Sequence, residues 1–343
     1  MVHQPLNFTI SRSSPWFQWV VLGSSALLCL TASIAYWFQP DSWAALLLCP
    51  RWLWLVFGLA LALLGWTRRR KMAASAAAIL WVAYAVVFVE EVTSLARLQQ
   101  WPLPEWEAGR ESGTAIRVVS LNCSGGDEDA AVEVSKFKPD VVLFQESPVR
   151  TKLRDMAQNL VGPEAEALCG PDVSIVVRGR ITPVPLPRPW DIPFAHARVE
   201  LASGLSMEVI VVRLQPYDVR ADFWSSDCRR KQYAVRQHQR RQIEWLSQQM
   251  RSIPPDVPLI VGGDFNQPGR DLSLRLLRPR LRDAYCEGGS GWGNTLDNDI
   301  PFLRIDQVWH SQHFRAASVV ARRTVHSDHR MVVCDLICAP GRN

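Results

Sequence analysis

Residues 259–266 read LIVGGDFN. Leu259, Ile260 and Val261 are apolar on both faces of an extended chain, which suits a strand covered by further layers. The run then ends in Gly262, Gly263, Asp264, Phe265 and Asn266, so an acid and an amide stand where a rigid sheet can present side chains to a cleft. The same pattern recurs outward in both directions. IRVVSLN (116–122) ends on Asn122, DVVLFQE (140–146) on Gln145 and Glu146, and MEVIVVRL (207–214) on Arg213 and Leu214. In the other direction, RIDQVWH (304–310) begins with Arg304, Ile305 and Asp306, and RMVVCDLI (330–337) follows His326, Ser327, Asp328 and His329. With VSIVVR (173–178) and ASVVARR (317–323), these form a series of short, β-branched strands. Helical patterns interleave with them. DEDAAVEVSKF (127–137) has acidic residues in its first turn, and over 229–250 Tyr233, Ile243, Leu246 and Met250 can share a face. The expectation is an α+β domain over 115–340 with a large sheet core.

Taken singly, the polar strand ends have ordinary explanations: Asn122 could cap a turn, Glu146 could be a solvated strand end, and Asp306 could pair with Arg304. Together, in this order, they resemble the endonuclease/exonuclease/phosphatase superfamily. That group includes pancreatic-type deoxyribonuclease, abasic-site endonucleases, neutral sphingomyelinases and inositol polyphosphate 5-phosphatases. The resemblance runs from about 116 to 337 and rests most on Leu259–Asn266 and on Ser327–His329. It implies a four-layer α/β/β/α sandwich and a divalent-metal-dependent phosphoesterase using Mg2+ or Mn2+, hard cations suited to carboxylate and amide oxygens. By the same resemblance Glu146 is the principal metal ligand, Asn122 beside it contributes to metal or phosphate contact, and Asp328 is a further carboxylate at the metal site. Asp264 orients or deprotonates the attacking water, and Asn266 donates to the phosphate. His329 is the phosphate-contacting or acid/base imidazole, held in one tautomer by Asp306. His326 lies outside the pattern.

One position departs from it. Family members carry His or Tyr near the end of the strand matching MEVIVVRL, shortly before a proline; here the chain reads Val212-Arg213-Leu214-Gln215-Pro216. Arginine does not deprotonate at ordinary pH, but its fork can clamp a phosphate. Arg213 therefore points either to phosphate binding with the leaving group handled by metal, or to a weakened enzyme that acts as a phosphate-binding scaffold. Substrate choice could be shaped by GGSGWGNT (288–295), where Trp292 either stacks on a base or sugar or plugs the loop onto the core. The Arg-rich stretch 220–241 is open to nucleic acid, solvent or anionic lipid headgroups. The substrate class stays open among nucleic acid, phospholipid and small phosphoester.

The N-terminal residues have a different composition. Residues 16–38 contain no charge, 43–66 only Arg51, and 72–89 none. About 20 apolar residues are what a hydrocarbon core requires, so three transmembrane helices are expected within 1–90, with the lipid bilayer as partner. The first run exceeds a signal-peptide core and precedes no small-residue cleavage pattern. The cluster Arg68-Arg69-Arg70-Lys71 between the second and third runs favours the cytoplasmic side, which predicts a multi-pass cell-membrane protein with an extracytoplasmic catalytic domain. Residues 91–114, with Pro102 and Pro104, read as a linker. The eight cysteines include no CxxC pair, which argues against a zinc site, and the six outside the apolar runs could pair in an oxidising compartment. A formal charge of +5 is too modest to argue for nucleic-acid binding.

Overall fold

The computed structural model describes residues 15–97, 103–185 and 193–339. The chain divides into two compact units. One holds the chain up to Phe38 together with Cys49–Glu90; the other holds Gln39–Leu48 and everything from Glu91 onward.

In the first unit α1 (Pro15–Phe38) packs with α3 (Arg51–Leu64) and α4 (Lys71–Phe88), while the short α2 (Ala44–Leu47) belongs to the second unit. At about 1.5 Å per residue, the 24 residues of α1 reach about 36 Å, enough for a hydrocarbon core of about 30 Å. Helices α1 and α4 are each long and apolar enough to cross a membrane. The expected run 43–66 is not one helix: α2 and α3 meet at 70°, and a third span exists only if that bent pair is counted as one. Pro50 sits at the break, where its missing N–H and its ring end the helix on its N-terminal side. Polar groups inside this bundle satisfy one another, as an apolar surrounding demands. Ser25 Oγ donates to Gly58 O (2.8 Å) and accepts from Trp81 Nε1 (3.1 Å). Tyr36 OH donates to Cys49 O (2.8 Å) and accepts from Trp54 Nε1 (2.9 Å). Leu27, Leu30, Leu63, Ile79 and Val86 point outward and are exposed, an exterior that suits lipid.

In the second unit eleven strands run in the order β10 (Phe314–Arg322), β11 (Met331–Cys338), β1 (Ala115–Asn122), β2 (Val141–Gln145), β4 (Val173–Pro183), β5 (Phe194–Leu201), β6 (Ser206–Arg213), β7 (Leu259–Asp264), β9 (Asp306–Ser311) and β8 (Leu281–Asp283), with β3 (Ala165–Cys169) on β4. The long β4 turns this order into two facing sheets. Its first half pairs with β2 and β3, and its second half, from Gly179, pairs with β5. Gly179 has φ +151, and a Cβ there would lie 2.1 Å from Glu200 O, so only glycine lets the strand change sheets at this point.

Alternation along the strands then sorts the side chains into layers. Ile116, Val118, Leu143, Val209, Val211, Ile260 and Val308 form the core between the sheets. On the outer face of one sheet Val119, Leu121, Val142 and Phe144 pack under α7 (Glu128–Val132) and α8 (Arg150–Val161). Ile210, Val212, Val261 and Trp309 pack under α9 (Ser226–Arg251) on the other. The result is a mixed α+β, four-layer helix–sheet–sheet–helix sandwich. Strands β3, β5 and β8 were not evident in the sequence. In β5 the polar His196 and Arg198 interrupt the apolar run, and His196 is buried against Glu208 at 2.7 Å.

Residues 91–114, expected as a linker, hold two helices, α5 (Glu90–Leu95) and α6 (Pro104–Ser112); Pro102 lies outside the described residues. Ser94 Oγ donates to Gly291 O (2.9 Å), and Arg97 donates to the carbonyls of Tyr285 (3.0 Å), Cys286 (2.5 Å) and Gly289 (2.9 Å). Asn294 Nδ2 donates to Glu91 Oε1 at 3.0 Å. Residues 39–48 are integrated in the same way. Gln39 exchanges bonds with Arg270 O (2.9 Å) and Leu272 N (3.1 Å), and Asp41 accepts from Arg236 Nε (3.0 Å) and Arg240 Nη2 (2.6 Å) on α9. All eight cysteines are free thiols.

Candidate active site

The alternation that builds the core also points the functional side chains. Counting inward positions along β1 (116, 118, 120) leads to Asn122, along β6 (209, 211) to Arg213, along β7 (260, 262) to Asp264, and back along β9 (308) to Asp306. Each polar residue thus lies on the inter-sheet side at one end of its strand, where the apolar core gives way to a cleft. Register brings them together: Arg213 is opposite Asp264 across β6 and β7, and Asp264 is opposite Asp306 across β7 and β9. Gly263 has φ +140, and a Cβ there would sit 2.0 Å from Val212 O, so glycine is required just before Asp264. Four non-glycine residues around the cleft also hold left-handed backbone: Glu146 (φ 43), Asn266 (φ 48), Ser124 (φ 49) and Asp172 (φ 62). Such conformations cost about 1–3 kcal/mol each and persist where surrounding contacts enforce them.

Those contacts form one network. Asn122 Nδ2 donates to Glu146 Oε1 (3.2 Å) and to Asp264 Oδ2 (3.1 Å), while Asn122 Oδ1 accepts from Ser124 N (2.9 Å). Glu146 Oε2 accepts from Gly125 N at 2.6 Å. Asp328, exposed at the mouth, accepts from Ser124 Oγ at 2.7 Å. Asn266 turns inward: its N–H donates to Asp264 Oδ1 (2.9 Å) and its Nδ2 to Asp264 Oδ2 (3.0 Å) and Leu214 O (3.0 Å). In this arrangement its amide orients Asp264. His329 Nδ1 lies 2.9 Å from Asp306 Oδ2, and Asp306 N is held by Thr295 Oγ1 at 3.1 Å. Arg213 bridges two carboxylates, Glu146 at 2.6 Å and Asp172 at 2.7 Å.

Burial and crowding set the protonation states. Asp264 is pushed up to about 7, first by burial and then by the charge of Asp306, with His329 opposing. Burial alone would lower His329, but the charge and hydrogen bond of Asp306, with help from Asp264 and Asp328, outweigh it and raise the imidazole to about 10. Asp264, Asp306 and His329 are all buried, with ligating atoms within 4.8 Å of one another. Glu146 lies outside that trio, with the guanidinium of Arg213 2.6 Å from its carboxylate.

Two further residues singled out in the sequence lie as follows. Trp292 donates from Nε1 to Pro301 O at 2.8 Å and so pins its own loop, the second of its two expected roles. His326 stands apart from the cleft network in an exposed group with Asp127 and Asp129.

The sequence profile described as the Endonuclease/Exonuclease/phosphatase family matches residues 119–329, which contain every strand end just described. The chain belongs to this family. Among solved structures, an endonuclease/exonuclease/phosphatase family protein from Bacteroides thetaiotaomicron has 14% identity and a TM-score of 0.51 over 66% of this chain and 96% of its own. The mannosyl-6-phosphatase of the same organism has 14% identity and a TM-score of 0.49 over 65% of this chain and 99% of its own. The human Nocturnin catalytic domain, solved with bound sulfate, has 18% identity and a TM-score of 0.48 over 66% and 94%. At these identities the first similarity speaks for the fold alone. Among curated proteins, no sequence matches.

Several residues of the network escaped the sequence reading. Ser124 and Asp172 sit in turns with no strand to mark them, and Gln239, on α9, supports the cleft by donating to Asn266 O at 2.7 Å. Tyr217 follows Pro216 in the loop after β6. Its hydroxyl is buried without a hydrogen-bond partner among the described residues, and burial together with the charges of Asp264 and Asp306 raises its pKa. A tyrosine just after Leu214-Gln215-Pro216 was the only available signal, and by itself it matches no pattern.

Proposed function

We propose that this chain is a membrane-anchored phosphoesterase dependent on a divalent metal. The observation that carries the reading is the linked set Asn122–Glu146–Asp264 beside the Asp306–His329 pair, at the end of two facing sheets. The donor set fits a hard cation: carboxylate and amide oxygens from Glu146, Asn122 and Asp328, with a buried Asp306 Oδ1 that has no partner among the described residues. When bound, Mg2+ or Mn2+ supplies positive charge to the phosphoryl oxygens in the transition state.

The remaining chemistry belongs to side chains. Asp264, with a pKa near neutrality, is suited to accept a proton from the attacking water. Asn266 and Asn122 hold that carboxylate from both sides. His329, kept cationic by Asp306, offers Nε2 to a phosphoryl oxygen or to the leaving oxygen. Arg213 provides a second fixed cation whose fork matches phosphate geometry. Hydrolysis of bis-p-nitrophenyl phosphate by the full-length protein, abolished by chelator and by Glu146→Ala, is the expected result; no metal-dependent turnover above that variant would reject the reading.

A second reading rests on the Arg213–Glu146 ion pair. If the guanidinium holds the carboxylate against metal, the domain is a phosphate-binding scaffold. Calorimetry would then show phosphate-ligand binding without product, and Arg213→Gln would tighten Mn2+ binding.

For topology, we place the N-terminus inside and the catalytic domain outside the cytoplasm. The reading rests on the basic cluster Arg68–Lys71 between α3 and α4, which favours the cytoplasmic face and so puts the chain after α4 outside. A reporter after Asn343 active only in the cytoplasm would overturn this.

A further inference from the structure

The apolar side chains exposed on the catalytic unit are unevenly distributed. Val149 lies in the loop after Glu146, Val219, Phe223 and Trp224 in the loop after Arg213, Ile300 in the loop before Asp306, and Val325 in the loop before His329. These six are on connections at the cleft end of the sheets, and Trp224, Ile300 and Val325 are 68%, 77% and 76% exposed, whereas the less exposed Trp43, Leu95, Val132, Tyr233 and Leu276 lie in helical segments. At the other end, the loops 138–140, 162–164, 202–205, 252–258 and 312–313 expose no Val, Leu, Ile, Met or aromatic side chain among the described residues. Charged neighbours on the rim are paired with each other, Arg220 with Asp222 (2.6 Å) and Asp227 (2.8 Å), and Arg323 with Asp299. The rim therefore offers apolar contact more than a net field. Apolar exposure concentrated at one end of a folded domain suits an interaction surface.

The route of the chain indicates what covers it. Residues 39–48, bounded by α1 and α3, seat on α9 and on the segment after Asn266, through Gln39 with Arg270 and Leu272. Residues 91–97, which follow α4, seat on Tyr285–Asn294, the stretch leading to Thr295 and Asp306. Each covalent connection to the apolar helices therefore reaches the catalytic unit at segments that continue directly into the cleft.

We propose that the cleft rim lies on the bilayer and that the substrate is a phosphoester carried by a membrane lipid. Its phosphate enters the cleft while its acyl chains remain among the other lipids. The rim side chains bury in the interfacial region, where Trp and aliphatic residues gain most. Tethering gives lipid a high effective concentration at the cleft, whereas a long polymer would have to thread between rim and headgroups. In the reaction the oxygen of water bonds to phosphorus as the ester P–O bond breaks, and the proton of water ends on the leaving alcohol. The reaction itself rests on the hydrolase reading above; the seating on the membrane does not.

The test uses the full-length protein in nanodiscs, with a fluorescent amino acid placed in turn at Ile300, Val325 and, as a far-end control, Gln312. Doxyl-labelled lipids are expected to quench the first two several-fold more than the third; equal quenching overturns the seating. In parallel, phosphatidylcholine vesicles, alone or doped with sphingomyelin, phosphatidylglycerol or phosphatidic acid, are compared with bis-p-nitrophenyl phosphate and single-stranded DNA. The double variant Ile300→Asp with Val325→Asp should lower lipid turnover by about tenfold or more and leave the soluble diester unchanged. Cleavage of the soluble diester or DNA without cleavage of any lipid overturns the substrate assignment and leaves the hydrolase reading standing. Turnover on none of them rejects both, with the quenching still deciding where the rim sits.

Discussion

Two groups in this molecule have the same composition, two aspartates and a histidine with ligating atoms within 4.8 Å: Asp264 with Asp306 and His329, and Asp127 with Asp129 and His326. Their histidines are three residues apart on one loop. The first group is buried and the second exposed. Asp264 and Asp306 end strands whose inward alternation carries them over the core, so water is excluded and each charge feels the next. Asp127 instead begins a helix and accepts from Ala130 N at 2.9 Å as its N-cap. The contrast shows that residue type and proximity do not make a reactive site. Placement by a rigid sheet, with burial, perturbs protonation and holds geometry.

Variants can break that contrast, beginning with the largest expected effect. Asp264→Ala removes the carboxylate held by Asn122 and Asn266 and should lower kcat by about 10³-fold with the fold intact, measured as diester turnover alongside circular dichroism. Retained activity would show that burial of this trio serves packing alone.

Asp306→Asn should cost about 10²-fold in turnover, and it also tests the electrostatics. The imidazole of His329, raised to about 10 from its ordinary 6.5, holds its proton more tightly in the folded state. Its stabilising contribution is therefore complete below pH 6.5 and is lost as pH climbs through 10. In metal-free protein the stability advantage of wild type over Asp306→Asn should narrow across that interval, and the His329 ring signals in NMR should not titrate between pH 6.5 and 8 in wild type. A ring titrating near 6.5 would contradict the buried pair.

Tyr217→Phe sharpens the comparison at the edge of the buried trio. The hydroxyl has no partner among the described residues to lose, so thermal stability should be unchanged or slightly higher, while turnover falls about tenfold where the group meets substrate. Equal turnover would assign the ring a packing role. The smallest effect is expected in the exposed group: Asp127→Ala should cost about 1 kcal/mol through the lost cap and change turnover less than twofold, checked by denaturant unfolding and kinetics.

Much of this was legible in the primary structure because strands repeat every two residues. Once Leu259–Val261 and Ile116–Val119 read as buried strands, polar residues stood at strand ends, and the resemblance to the endonuclease/exonuclease/phosphatase superfamily marked Asn122, Glu146, Asp264, Asp306 and His329 among them. Other features were not legible. Strand β5 carries His196 and Arg198 inside an apolar run, and their burial depends on Glu208, twelve residues beyond His196 in the chain. The run 43–66 is apolar throughout apart from Arg51, and composition could not show that Pro50 bends it and sends Ala44 and Leu47 to the catalytic unit.

The residue pattern alone therefore determined that apolar helices precede a layered α+β domain, and which side chains stand at its strand ends, because helix length and strand alternation are local properties of the chain. Only the folded molecule decided that Arg213 pairs with Glu146 and Asp172, that Ser124 joins the cleft, that Tyr217 is buried within reach of the charges of Asp264 and Asp306, and that residues 39–48 and 91–97 seat against the loops of the catalytic unit. Those contacts join residues tens to hundreds of positions apart, and such neighbours are selected by the packing of whole layers, which leaves no periodic trace in the sequence.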